Sequence, residues 1–460
     1  MLKVDLDLKE PDILKLGIYL TGDKTIDNNF EKALEFFRTA AKVYPNCADA
    51  WSNMGVCFLN LKKPALALEP LRKGLALAPN HPALHLHYGV ALQVCLHLDE
   101  GREHLLRALA LNPPFCFEVW CSLSINSQYR ADIKQAISEY EMALKLQPGN
   151  NIGEQSMGMM MMLDRQWDAG LNYYEARLKA LNPWIPIPTP HYDHAPDKSF
   201  SGKKVLVLAE QGIGDGIQFL RYFPYLKSLY PDSVFTNWCD DKLADLSKVF
   251  GVPTVHPAMK YVPATDYQIP ILSLMKYLND KRLPFIIPEW NPFPAPEKKE
   301  WHRIGFCWRG NPLHNHDLFR SISWDIMRNI VQRHQSFDEP ASVCLQADAT
   351  EDEKACFDYV PTLDSWMATA SLIQRLDCVV TVDTAVAHLA GTLGVPCYVL
   401  MAKIVDWRWG LEGETTEWYK SLRLYRQTKL GDWGPVVERV LKALREKEYL
   451  CSNLVAANQS

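Results

Sequence analysis

None of the twelve cysteines stands in a C-x-x-C pair. Neither a zinc ribbon nor a disulfide scaffold is therefore indicated, and reduced thiols in a cytoplasmic protein are the expectation. No apolar run approaches the ~20 residues that a bilayer-spanning helix needs. The acidic start Met1-Leu-Lys-Val-Asp-Leu-Asp lacks the basic-then-apolar pattern of a secretory signal, so no membrane insertion is expected. An excess of one charge is missing too. With 49 Lys and Arg against 54 Asp and Glu the net charge is −5, which offers nucleic acid no general attraction, although a local basic groove stays open. Glycine is sparse, at 23 of 460 residues, while proline reaches 30. Hydrophobic residues make up 48% and charged ones 22%, enough for two or three domains with a core each.

What is present begins with a period. Pro45, Pro79, Pro113 and Pro148 are spaced 34, 34 and 35 residues apart and end the phrases "AAKVYP", "GLALAP", "ALALNP" and "ALKLQP". Trp51, Gly55, Ala67 and Leu71 precede Pro79, and Gly89, Leu105 and Ala108 precede Pro113. Small residues let paired helices approach, and the proline closes the second helix of each pair. The pattern resembles the tetratricopeptide repeat, with a fifth, degenerate pair around Gly158 and Tyr174 ending near Leu181. Such arrays form solenoids that hold a peptide or serve as a platform for homo-oligomers, and both readings stay open. Asn53 and Asn60 suit a peptide groove, but the next repeat offers Leu86, Val90 and Val94. Met159–Met162 read as core filler, and His81, His85 and His87 as packing or surface residues.

Pro183, Pro186, Pro188, Pro190 and Pro196 mark a stiff linker over 182–201; His191 and His194 within it read as ordinary polar residues. Beyond it the pattern becomes strand–helix alternation: "KKVLVLA", "SVFTNW" and "YQIPIL", then, after the proline-rich passage around 287–301, "RIGFCWRGN", "ASVCLQAD" and "DCVVTVDTAVAHLAGTLGVPCYVLM". This predicts parallel sheets covered by helices, in two units with a cleft at the carboxyl ends of their strands. Two strand-to-helix loops carry the chemistry. The first, "AEQGIGDGIQF", spaces Gly212, Gly214 and Gly216 around Asp215. A carboxylate in a phosphate cradle would repel the phosphate, which argues against a dinucleotide clamp. In the second, Thr384 is a good N-cap that leaves the amides of Ala385, Val386 and Ala387 facing outward, a geometry suited to a diphosphate. His388, four residues on, reaches the same ligand.

In chain order, "AEQGIGDGIQFLRY", "WRGNPLHNHDLFRSI", "VDTAVAHLAGTLG" and "DWRWG" resemble bacterial repeat-containing glycosyltransferases, which are similar to heptosyltransferases and more distantly to O-GlcNAc transferase. The likeness covers roughly residues 200–435, with the repeats in front. It implies an α + α/β architecture: a tetratricopeptide-repeat solenoid (1–181), the linker (182–201), and a GT-B pair of Rossmann-like halves, acceptor side 202–295 and donor side 296–447, before a tail at 448–460. It also implies a nucleotide-diphosphate sugar as donor, inversion at the anomeric carbon, and no metal or other cofactor. No plausible D-x-D metal motif is seen in the α/β region.

The resemblance places the catalytic base at Asp215, and at Asp383 a contact with donor-sugar hydroxyls. Arg309, Asn311 and Arg320 follow the first strand of the second half, where arginine suits phosphate, and Arg320-Ser321 match the family pattern. The basic residue that many relatives carry is replaced by Leu318, which leaves Arg309, Arg320 or Arg408 to compensate charge. Trp407 and Trp409 stack on a base or sugar, or pack in the core. Gln211, Gly214 and Gln218 are expected on the acceptor side. The expected activity is transfer to a protein or other macromolecular acceptor that the repeats recognise. The alternatives are transfer to a lipid-linked saccharide or a modified DNA base, and a non-catalytic repeat scaffold with a decayed transferase domain.

Overall fold

The computed structural model describes residues 29–181, 191, 199–258, 264–287, 291, 293, 303–312, 317–335 and 341–446. The expected tail, His194 and nearly all of both proline-rich passages lie outside them. The chain divides into two compact units, Met1–Met160 and Met161–Ser460.

The first unit is a tetratricopeptide-like array of antiparallel helix pairs. After α1 (Phe30–Val43) come α2 (Ala48–Asn60) and α3 (Pro64–Leu77), α4 (Pro82–Val94) and α5 (Leu98–Ala110), α6 (Cys116–Tyr129) and α7 (Ile133–Leu146), then α8 (Asn151–Leu163). Pro45, Pro79, Pro113 and Pro148 each stand in the connection after the second helix of a pair, where a missing N–H does no harm. The turn inside each of these pairs is closed by a left-handed residue: Lys62, Leu96 and Ala131 have φ of 56°, 68° and 63°, and Arg165, after α8, continues the same period at 64° without glycine.

Glycine is spent where helices touch. A methyl on Gly55 would lie 2.4 Å from Leu71 Cγ, and Gly89 and Gly101 face each other so closely that a methyl on either would be 2.9 Å from the other's carbonyl oxygen. Met160, Met161 and Met162 are buried, as expected of core filler. Asn53 and Asn60 each donate their side-chain amide to their own helix, to Asp49 O and Val56 O at 2.9 Å, which turns those amides back onto the backbone. Of the histidines, His85 is buried and donates through Nε2 to Pro79 O at 2.9 Å. Burial pushes His87 down to about 4.

The second unit opens with α9 (Trp167–Tyr174), a 3₁₀ turn Glu175–Arg177 and α10 (Leu178–Leu181). Sequence periodicity groups these residues with the repeats, but they pack on the α/β region through Asn279 Nδ2 to Asp168 Oδ1 (2.7 Å) and Arg177 to Glu210 (2.7 Å). Two wholly parallel sheets follow. The first contains β1 (Lys204–Leu208), β2 (Val234–Trp238), β3 (Thr254–Val255) and β4 (Tyr267–Pro270) in the order β3-β2-β1-β4. The second contains β5 (Arg303–Cys307), β6 (Ala341–Cys344), β7 (Cys378–Val382), β8 (Cys397–Met401) and β9 (Leu422–Arg426) in the order β6-β5-β7-β8-β9.

Their helices are α11 (Ile213–Phe219), α12 (Tyr222–Leu229), α13 (Asp241–Val249), α14 (Ser273–Asp280), α15 (Asp317–Arg320), α16 (Trp324–Gln335), α17 (Glu351–Lys354), α18 (Trp366–Ile373), α19 (Ala385–Thr392) and α20 (Gly434–Arg445). Strands β7 and β8 are buried at every residue, as parallel strands covered on both faces are. Strand order reverses between β1 and β4 in one sheet and between β5 and β7 in the other. Ligand crevices of open α/β sheets form at such reversals. They select the loops after β1, β5 and β7. Among the described residues no helix is long and apolar enough to cross a membrane, and no cysteine is paired in a disulfide.

Candidate functional site

The loop after β1 is shaped by packing more than by glycine torsions. Its left-handed residue is Gln211, at φ 65°, with its amide donating to Tyr174 OH at 3.0 Å. Gly212 is the N-cap of α11 in an extended conformation. Asp215, at the third helical position, accepts the Gly212 N–H through Oδ2 at 2.9 Å, as acids in a first turn do. A methyl on Gly216 would meet Leu243 Cδ1 at 2.3 Å, and one on Gly214 would meet His388 Cδ2 at 3.1 Å and Ala385 Cα at 3.4 Å. Gly214 thus lets the first turn of α11 lie directly against the first turn of α19, from the other sheet.

Asp215 Oδ1 takes an ion pair from Arg408 Nη2. Arg408 is 6% exposed and also donates to Asp406 Oδ1 at 2.9 Å and Gln218 Oε1 at 2.6 Å. Its guanidinium lies over the Trp407 ring at 4.2 Å. Gln218, expected beside an acceptor, is instead wholly buried and held by Arg408. Trp407 and Trp409 are 2% and 1% exposed, which settles for core packing over stacking on a ligand's surface.

On the second sheet, Asp383 directly follows β7 and is partly buried. Burial pushes its carboxyl up to about 6; Asp406 adds to the rise, while Arg320, the Trp409 indole and Arg408 oppose it. Thr384 caps differently from expectation: its Oγ1 bonds Thr381 Oγ1 at 3.0 Å and no side-chain cap forms. His388 is buried, with Nδ1 2.9 Å from Tyr419 OH and its ring stacked 5.1 Å from Trp409. Burial, reinforced by Arg408, Arg221 and Arg320, pulls its pKa well down, so the imidazole is neutral.

After β5, Arg309 is bound to Glu353 at 2.7 Å and Asp348 at 3.4 Å, ion pairs that take it away from the phosphate role expected of it. Arg320 pairs with Asp317 at 3.2 Å and remains 18% exposed; Gly310 gives it room, since a methyl there would lie 2.6 Å from Arg320 Nη2. Asn311 is exposed. The residues 313–316 and the Leu318 side chain lie outside the described set.

Sequence reasoning missed the buried cluster behind the first loop. Glu210 receives Arg177 through 2.7 and 3.1 Å bonds and the Leu272 N–H at 3.3 Å, while Arg177 also reaches Glu175 at 2.6 Å and Ser273 at 2.8 Å. Glu210 was legible as a second acid beside the glycines, but its partner comes from a helix assigned to the repeats. Among the described residues no group of three or more His, Cys, Asp or Glu could hold a metal ion.

No protein-family model matches the chain. Protein FlbA of Caulobacter vibrioides is 22% identical over 473 residues, covering 90% of this chain and 76% of FlbA. Among solved structures, MamA is 21% identical, with 35% of this chain and 93% of MamA covered at a TM-score of 0.30. Pseudomonas aeruginosa pilF is 20% identical, with 53% and 88% covered at 0.34. These likenesses assign no activity.

Proposed function

We propose that the chain is an inverting glycosyltransferase of GT-B type, moving a sugar from a nucleoside-diphosphate donor to a protein or other macromolecular acceptor. The observation that carries this reading is the packing of the first turn of α11, which bears Asp215, on the first turn of α19, with Arg408 paired to Asp215 and both Arg408 and Arg320 near enough to act on Asp383. In this reading Asp215 takes the proton of the acceptor hydroxyl as its oxygen attacks the anomeric carbon. The bond to the diphosphate breaks on the opposite side, and the charge that develops there needs fixed donors. Arg320 and the amides of Ala385 and Val386, which no side-chain cap engages, supply them. His388 Nδ1 faces Tyr419 OH; with that hydroxyl as donor, Nε2–H is left to face the leaving group. Asp383 receives sugar hydroxyls. The repeat array selects the acceptor.

Thermal shifts against UDP, GDP, ADP and their sugars test the donor site. A nucleotide at a hundred times its Kd adds about 2.7 kcal/mol of stability. Asp215→Asn, nearly the same shape but no base, should keep that shift and lose transfer by roughly 10²–10⁴-fold. If no nucleotide raises the melting temperature, the scaffold reading replaces this one. Normal turnover by Asp215→Asn would remove Asp215 from its role.

A further inference from the structure

Arg408 enters from the second sheet's side, between β8 and β9, and grips one face of α11. Asp215, Gln218 and Phe219 stand three and four residues apart, the spacing that aligns side chains on a helix. All three meet its guanidinium: Nη2 pairs with Asp215, Nε donates to Gln218 at 2.6 Å, and the Phe219 ring centroid lies 5.8 Å away. The remaining terminal nitrogen, Nη1, goes to Asp406 at 2.9 Å. Three of its five N–H groups are thereby spent on protein acceptors, and at 6% exposure the guanidinium is held within the protein and not presented to a phosphate. Asp215, in turn, has one oxygen on Gly212 N–H at 2.9 Å and the other on Arg408. Each carboxylate oxygen accepts two bonds, so one lone pair on each remains for a hydroxyl.

We infer that Arg408 is a positioning residue: it reaches from the donor-side half to fix the orientation of the Asp215 carboxylate, so that the base is complete only when the two halves meet. This rests on the glycosyltransferase reading. It replaces the sequence expectation that Arg408 compensates donor phosphate.

The test uses the full chain with Arg408→Lys, Arg408→Gln, Asp215→Asn and the double variant Asp215→Asn/Arg408→Gln. Binding of UDP, GDP and ADP is measured by calorimetry, and nucleoside-diphosphate release from the corresponding sugars across pH 5–9. Positioning predicts nucleotide affinity within about twofold of wild type for both Arg408 variants, and turnover lower by 10-fold or more. Lysine keeps the charge but cannot hold three acceptors in one plane. The double variant should be no slower than Asp215→Asn alone.

A loss of nucleotide affinity with turnover retained would make Arg408 a phosphate ligand and overturn the inference. So would losses that multiply in the double variant, or failure of both Arg408 variants to fold. Wild-type chain that neither binds nor turns over any of these nucleotides fails earlier, at the activity itself, and takes the inference with it.

Discussion

Asp383→Asn should stabilise the protein, and do so only where the carboxyl would be ionised. Burial pushes Asp383 from 3.8 up to about 6, so the folded state favours the neutral acid. A raised acid contributes its full stability below the unfolded value, and loses it as pH climbs through the folded one. A shift of this size corresponds to roughly 3 kcal/mol at full ionisation, and the partial exposure of Asp383 lowers that to about 1–3 kcal/mol. Asparagine has nearly the same shape and carries no charge. At pH 8 the variant should therefore melt higher by ~2–8 °C, at a few degrees per kcal/mol for a domain of this size. The linkage relation shrinks the gap to about a third of its value by pH 4.5. Differential scanning fluorimetry of both proteins from pH 4.5 to 8 reads this directly. A gap that does not change with pH, or a variant less stable at pH 8, would show that Asp383 is not a costly carboxylate. Such a cost without benefit to folding is what a ligand-contacting acid incurs.

Gly89→Ala should destabilise the array by about 1–3 kcal/mol through overpacking, because its methyl would stand 2.9 Å from the Gly101 carbonyl. The usual helix gain of ~1 kcal/mol for alanine makes the sign informative: a higher urea midpoint would contradict the close contact. Arg177→Met should cost about 3–5 kcal/mol by stranding Glu210 in the interior, and Arg177→Met/Glu210→Gln should recover most of that in chemical denaturation. Equal loss in the double variant would show that Arg177 acts by packing alone.

The repeat array was legible because its information is local. A proline every 34 or 35 residues, with glycine where helix axes meet, determines pair length, turn position and close contact from spacing alone. The parallel strands were legible for a related reason: β5, β7 and β8 are short apolar runs followed by turn residues, and a strand buried on both faces needs no partner to be recognised. Asp215 also stood out, as an acid among glycines at a strand-to-helix turn. What its neighbours do was not legible: Gln211 takes the left-handed angle, and Gly214 and Gly216 serve as contact points between helices.

What the sequence by itself could not decide was the partner of each charge. Arg309, Arg320 and Arg408 look alike on paper, yet Glu353 and Asp348 hold Arg309, Asp215, Asp406 and Gln218 enclose Arg408, and Arg320 sits against Asp317 with part of its surface open. Arg408 and Asp215 stand 193 residues apart, and no periodicity links them. Arg177 likewise reads as the end of a repeat but neutralises Glu210 beneath the first α/β loop. His388 sits at the right spacing for a ligand, but that Tyr419 and Trp409 fix its ring could not be read from that spacing. Periodicity is set by the geometry of one element, and the crossing of two elements sets which acid meets which base. The repeats and the strands were determined by the chain's local pattern; the partners of the charges around α11 and α19 were decided by tertiary packing, where burial makes an unpaired charge too costly to leave unmatched.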